Sequence, residues 1–234
     1  MPWFAVYYVP PANQELYRLG SSVLGYDSRA RQRVPLCPKL AGRIGGIDDE
    51  WVAWARGFGL HMTISDLIEF DAGNISAIER EIEEILGCFD PEVPFRLTAH
   101  PKGLVRSVGA SQRTLVLSYE ADPILHTLHT LIVARLHPLG SASVWQQRYL
   151  QDPSQYGDRP HVIRKIRKFG TLGGLDTWRP HLTLLNPYTG QNHEQLLTEF
   201  SAVFGKFTEI TINSVCLLLQ NDEGYWHIWR EFTR

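Results

Sequence analysis

Apolar and polar positions alternate with a period of two in several short runs, the pattern of half-buried strands. Residues 3–9 place Trp3, Ala5, Tyr7 and Val9 on one face and Phe4, Val6 and Tyr8 on the other, and Pro10-Pro11 ends the run. The same period runs through Leu60-His61-Met62-Thr63-Ile64 and Pro180-His181-Leu182-Thr183-Leu184. In each, a histidine and a threonine share one face while Met62 and Ile64, or Leu182 and Leu184, point the other way. Further strands are expected at about 93–99, 113–119, 207–219 and 225–232.

A period of 3.6 takes over between these runs. Asn13 caps a short helix through Leu16, Leu19 and Val23 that closes near Gly25. Asp48 or Asp49 starts a brief helix carrying Trp51, Trp54 and Ala55, and Asn74 caps one with Ile75, Ile78, Ile82 and Ile85 on its inner stripe. Asp122-Pro123 opens a helix to about Leu136. Others are expected at 162–170 and 191–204. Residues 26–46 read as a surface loop and 138–160 as an irregular polar insertion.

Strand with His-x-Thr, loop, helix, glycine, strand occurs twice, which predicts an α/β duplication within a single domain spanning 1–234. A chain of 234 residues is ample for one such core. With a net charge of −2, no dominant field invites nucleic acid or an anionic membrane. No apolar run approaches the roughly 18 residues of a membrane span. The opening lacks a basic leader, so a cytoplasmic location is expected. Cys37, Cys88 and Cys216 are far apart and odd in number, the usage of buried reduced thiols.

Two H-x-T motifs, His61-Met62-Thr63 and His181-Leu182-Thr183, resemble the 2H phosphoesterase superfamily. Tyr7-Tyr8-Val9-Pro10-Pro11, the run Leu19-Gly20-Ser21-Ser22-Val23-Leu24-Gly25-Tyr26-Asp27 and Phe58-Gly59-Leu60-His61 are similar to a bacterial branch linked to phosphonate metabolism, whose activity is not known. After Thr63 the chain departs from that branch: Ser65-Asp66-Leu67 stands where a basic or proline-containing run is expected. The resemblance implies a two-lobed α/β (α+β) fold, two antiparallel-rich sheets facing a central cleft with helices outside. It also implies a metal-independent cyclic phosphodiesterase with no cofactor. Two imidazoles can supply the base and the acid that ring opening needs. Two threonine hydroxyls can donate to the phosphoryl oxygens. His61, Thr63, His181 and Thr183 take these roles by resemblance, and which histidine is the base stays open.

Alternation adds Arg179, two residues before His181, as a phosphate ligand. The competing reading is that Pro180 breaks the alternation and Arg179 faces solvent. One of Tyr7 and Tyr8 can look into the pocket; Tyr8 is the substrate-binding candidate, against amphipathic core. His126 and His129 read as an exposed helix edge. Arg159, Arg164, Lys165, Arg167 and Lys168 read as a phosphate-attracting lid or a solvated face. The resemblance implies a phosphoribosyl-type cyclic phosphate as substrate and no obligate protein partner. The alternatives are an RNA or nucleotide 2′,3′-cyclic phosphate phosphodiesterase and a non-catalytic nucleotide-binding module.

Overall fold

The computed structural model describes residues 2–109, 111–141, 144–152, 154 and 159–233. The first alternating run forms β1 (Trp3–Tyr8), between the antiparallel strands β10 (Ser214–Gln220) and β4 (Met62–Glu69). Beyond β10 lies β11 (Trp226–Thr233). On its other edge β4 meets β8 (His181–Leu185), which pairs in turn with β7 (Thr114–Ala121). The far edge of β7 carries β6 (Val105–Val108) along its first half and β5 (Phe95–Ala99) along its second, and β9 (Glu209–Ile212) closes the sheet against β5. The chain is thus mixed α/β around one nine-stranded antiparallel sheet rather than two separate ones. The difference turns on a single pairing, Met62 opposite Leu182, which makes the two H-x-T strands neighbours.

The repeated order of elements is present. β4 leads through α3 (Ile75–Leu86) to β5, and β8 leads through α7 (His193–Phe204) to β9. Equivalent strands pair with each other, β4 with β8 and β5 with β9. Met62, Ile64, Leu182 and Leu184 are wholly buried beneath this junction. Each such side chain is worth roughly 1.5–3 kcal/mol on burial. Slipping either strand by one residue would exchange them for the histidines and threonines, so the apolar face fixes the register.

Helix ends follow local chemistry with some changes of residue. α1 (Glu15–Leu24) starts after Gln14 rather than at Asn13, and Gly25 closes it in the left-handed conformation as expected. Asn74 precedes α3 but makes no side-chain cap bond; Asp71 instead accepts from the Gly73 N–H at 2.9 Å. Asp122 caps α4 (Pro123–Leu136) by accepting from the Leu125 N–H at 2.6 Å. The stretch 26–46 is not all loop. It holds a two-residue hairpin, β2 (Tyr26–Asp27) and β3 (Gln32–Arg33), and α2 (Pro38–Ile44). That helix buries Leu40 alone, too little to show as a period. Within 138–160, α5 (Val144–Gln151) is helical; residues 142, 143, 153 and 155–158 lie outside the described ones. It packs on α6 (Pro160–Phe169).

Cys216 is buried, but Cys37 is half-exposed and Cys88 exposed, so burial holds for one thiol of three. Among the described residues no helix is long and apolar enough to cross a membrane.

Candidate functional site

Carrying the Met62–Leu182 register one residue each way sets His61 against Thr183 and Thr63 against His181. Directly opposed Cβ atoms in an antiparallel pair are about 4.5–5.5 Å apart and diagonal ones about 7–8 Å. The histidines therefore lie on one diagonal and the threonines on the other. All four are half-buried while their neighbours in the strands are buried.

The two imidazoles are held alike. His61 Nδ1 is 2.9 Å from the Gly59 carbonyl and His181 Nδ1 is 2.7 Å from the Arg179 carbonyl, in each case two residues back. A carbonyl only accepts, so each Nδ1 carries a hydrogen and Nε2 is the nitrogen left to take or give a proton. Tyr7 stacks on His61 with centroids 3.9 Å apart and planes 19° from parallel, and Phe58 tilts against it at 5.8 Å. Burial pushes His61 down to about 4; the bond to Gly59 opposes this, and the charge of His181 adds to it. His61 is thus a neutral imidazole at pH 7.

Beside this face opens a cavity of about 250 Å³. His61, Thr63 and Thr183 line it; His181, opposite Thr63, is not among the lining residues. Four aromatic rings complete the walls: Tyr7, Trp54, Phe58 and Tyr149. Asp66 and Asn186 add polar groups, and no lysine or arginine is among the described residues of the lining. Tyr149 comes from α5, so the insertion contributes to the cavity wall.

Asp66 reaches the cavity through a bulge. β1 steps from Tyr7 to Val6 while β4 steps from Thr63 to Ser65, leaving Ile64 as an extra residue. A second shift follows between Val6 and Phe4, where Asp66 and Leu67 together stand against Ala5. Simple alternation would face Ser65 to the cavity; instead Ser65 is 2% exposed and Asp66 lines it. The β8 ladder has ended here, and side chains take the next two carbonyls of β4. Trp178 Nε1–H donates to Thr63 O at 3.0 Å and His129 Nδ1–H to Ile64 O at 2.6 Å. The two rings stack at 4.3 Å and 5°, and His129 Nε2 accepts from the Leu175 N–H at 2.9 Å. His129 is 2% exposed and not an exposed edge, and burial pushes it down to about 4. Asp66 is exposed, and its carboxyl opens to the cavity with neighbouring protein around it. That enclosure raises it above the usual carboxylate range, while the Thr171 hydroxyl on Oδ2 and the His181 charge pull it back.

Two sequence candidates fall elsewhere. Tyr8 is 1% exposed and opposite Met62, so it belongs to the core; Tyr7, opposite Thr63, faces the cavity. Arg179 is exposed, and its guanidinium donates to the Trp178 carbonyl at 2.9 Å instead of entering the cavity. The buried Pro180 interrupts the alternation, and Arg179 serves the site through its own carbonyl. In α6, Lys165 is buried and paired with Asp176, so it leaves the basic face formed by Arg164, Arg167 and Lys168. Among the described residues no three His, Cys, Asp or Glu side chains cluster in a way that would hold a metal ion.

Gly59 has φ +69° and ψ −180°, backbone open essentially to glycine alone, and a Cβ there would lie 2.8 Å from Ser28 Cβ. Gly59→Ala is expected to cost about 1–3 kcal/mol. It also displaces the carbonyl that orients His61. Urea titration with imidazole NMR checks both, and an unmoved His61 titration would show that the carbonyl does not govern the ring.

A scan against protein-family models and a search of curated proteins each returned no match. The site therefore rests on its own geometry.

Proposed function

We propose that this chain opens a small cyclic phosphodiester by two-histidine acid–base catalysis, in a two-lobed fold of the 2H phosphoesterase kind. The observation that carries this reading is the matched pair of imidazoles, each held by Nδ1 to the carbonyl two residues back and each beside a threonine on the same face. His61, kept neutral by burial, takes a proton from water on Nε2 as the water oxygen bonds to phosphorus. The P–O bond to the sugar breaks, and His181 delivers a proton to the departing oxygen. Thr63 and Thr183 donate to the non-bridging oxygens, where charge builds. Water is consumed and a phosphomonoester leaves, without a metal ion.

The cavity bears on the substrate. A phosphoribosyl cyclic phosphate with a second phosphate would meet Asp66 and no cation in the described lining. The exposed Trp54 ring, with Tyr149 in the same lining, instead suits a planar base. These features favour a nucleoside 2′,3′-cyclic phosphate over the phosphoribosyl substrate.

Phosphorus NMR of the protein in excess EDTA, with ribose 1,2-cyclic phosphate 5-phosphate, 2′,3′-cyclic nucleotides and ADP-ribose 1″,2″-cyclic phosphate, tests the reading. Ring opening that persists in EDTA is expected, fastest with the nucleotides. A panel left intact, with thermal stabilisation by one member, would replace the enzyme with a binding module.

A further inference from the structure

Among the described residues that line the cavity, Asp66 is the one carboxylate, and it faces no cation there. Among the described residues its side chain has one hydrogen-bond partner, the Thr171 hydroxyl on Oδ2, and no ion pair. A carboxylate only accepts hydrogen bonds, so a ligand group that meets it must donate. The surroundings define the rest of that group. Tyr7 is buried and stacked on His61, and Phe58 stacks on Trp226, so the ring open to a ligand is Trp54, 59% exposed, with Tyr149 in the same lining. A planar ring with an amino group on its rim satisfies both demands: the π-face stacks and the N–H reaches the carboxylate.

The bulge gives this placement its weight. Bulges re-aim side chains next to functional sites. Here Trp178 and His129 hold the Thr63 and Ile64 carbonyls while the chain turns Asp66 toward the cavity.

We infer that Asp66 is a specificity-determining residue that accepts a hydrogen bond from the exocyclic amine of a stacked heteroaromatic base. The preferred substrates are then cyclic phosphates of cytidine, adenosine or guanosine rather than uridine. Uracil sets a carbonyl where cytosine sets its amine, so it loses the bond and brings two acceptors together. The inference rests on reading the two-histidine face as a cyclic-phosphate site.

Two measurements keep the inference and that reading separable. The first is kcat/KM for 2′,3′-cyclic CMP against 2′,3′-cyclic UMP, in wild type and Asp66→Asn. A hydrogen bond to a charged group gives a preference for cytidine of roughly 10- to 100-fold. The amide of this variant would keep an oxygen for Thr171 but offer an N–H to the base, so D66N is expected to erase or reverse the preference. The second is binding of free cytidine and uridine, which carry no phosphate, by calorimetry. Preferential cytidine binding that is lost in D66N supports the role of Asp66 even if no cyclic nucleotide is opened, and the hydrolytic reading then falls alone. Equal kcat/KM for the two nucleotides, equal affinity for the two nucleosides, or a cytidine preference that survives D66N overturns the inference.

Discussion

Replacing His61 or His181 by alanine leaves the fold intact and lowers cyclic-phosphate turnover by roughly 10²–10⁴-fold, the usual contribution of one general acid or base. Each imidazole is tied to a carbonyl two residues away by a hydrogen bond worth about 1 kcal/mol. The register beneath them is set by Met62, Ile64, Leu182 and Leu184, which stay in place. The two variants should part on a diester with an aryl leaving group, which needs little protonation as it departs. His181→Ala is expected to recover much of its rate on such a substrate and His61→Ala very little. Wild-type turnover of a cyclic phosphate in both variants would falsify the mechanism, and recovery by His61→Ala instead would exchange the two roles. The double variant should be little worse than the worse single one, because the residues act in one step.

The second large effect is on the acid side of the pH range. His61 and His129 each ionise at about 4 against an ordinary 6.5, both chiefly because burial disfavours the cation. The unfolded chain therefore binds more protons than the folded one between pH 6.5 and 4, and stability falls as pH falls through that window. Above pH 6.5 the contribution is fully present. For His129, wholly enclosed, the gap corresponds to on the order of 3 kcal/mol. His61 borders the cavity and contributes less. Protonated His129 would also turn an N–H toward the Leu175 N–H that it now accepts. Urea midpoints at pH 7.5 and 5 are expected to drop sharply for wild type and much less for His129→Gln, which cannot titrate. The acid limb of kcat/KM, set by a neutral His61, should lie well below 6.5. A limb at 6.5 would show that His61 is not the base.

What could be read beforehand was local. The period of two put both histidines and both threonines on one face, since alternation within a strand needs no knowledge of its neighbours. Long helices with a clear stripe, such as α3, were equally legible. Three features were not, each for a physical reason. Tyr7 rather than Tyr8 faces the cavity because β1 is in register with Thr63 of β4, a pairing between segments far apart in the chain. Asp66 faces it because of two successive register shifts against β1, at Ile64 and at Asp66-Leu67, whose residues carry no local bulge signal. His129 lies off the apolar stripe of α4, yet that helix packs on β4 and on the turn before Trp178, so a second side is covered as well.

The central position of β1 has a consequence for biosynthesis. One neighbour of this strand, β4, follows it closely in the chain; the other, β10, is made long after both, with Tyr7 opposite Cys216. Until then β1 presents an open edge with Phe4, Val6 and Tyr8 uncovered, the kind of surface that nascent chains misuse for aggregation. The wall bearing Tyr7 and His61 is therefore completed only once β10 is made, and removal of β10 and β11 should harm that wall before it harms β7 and β8.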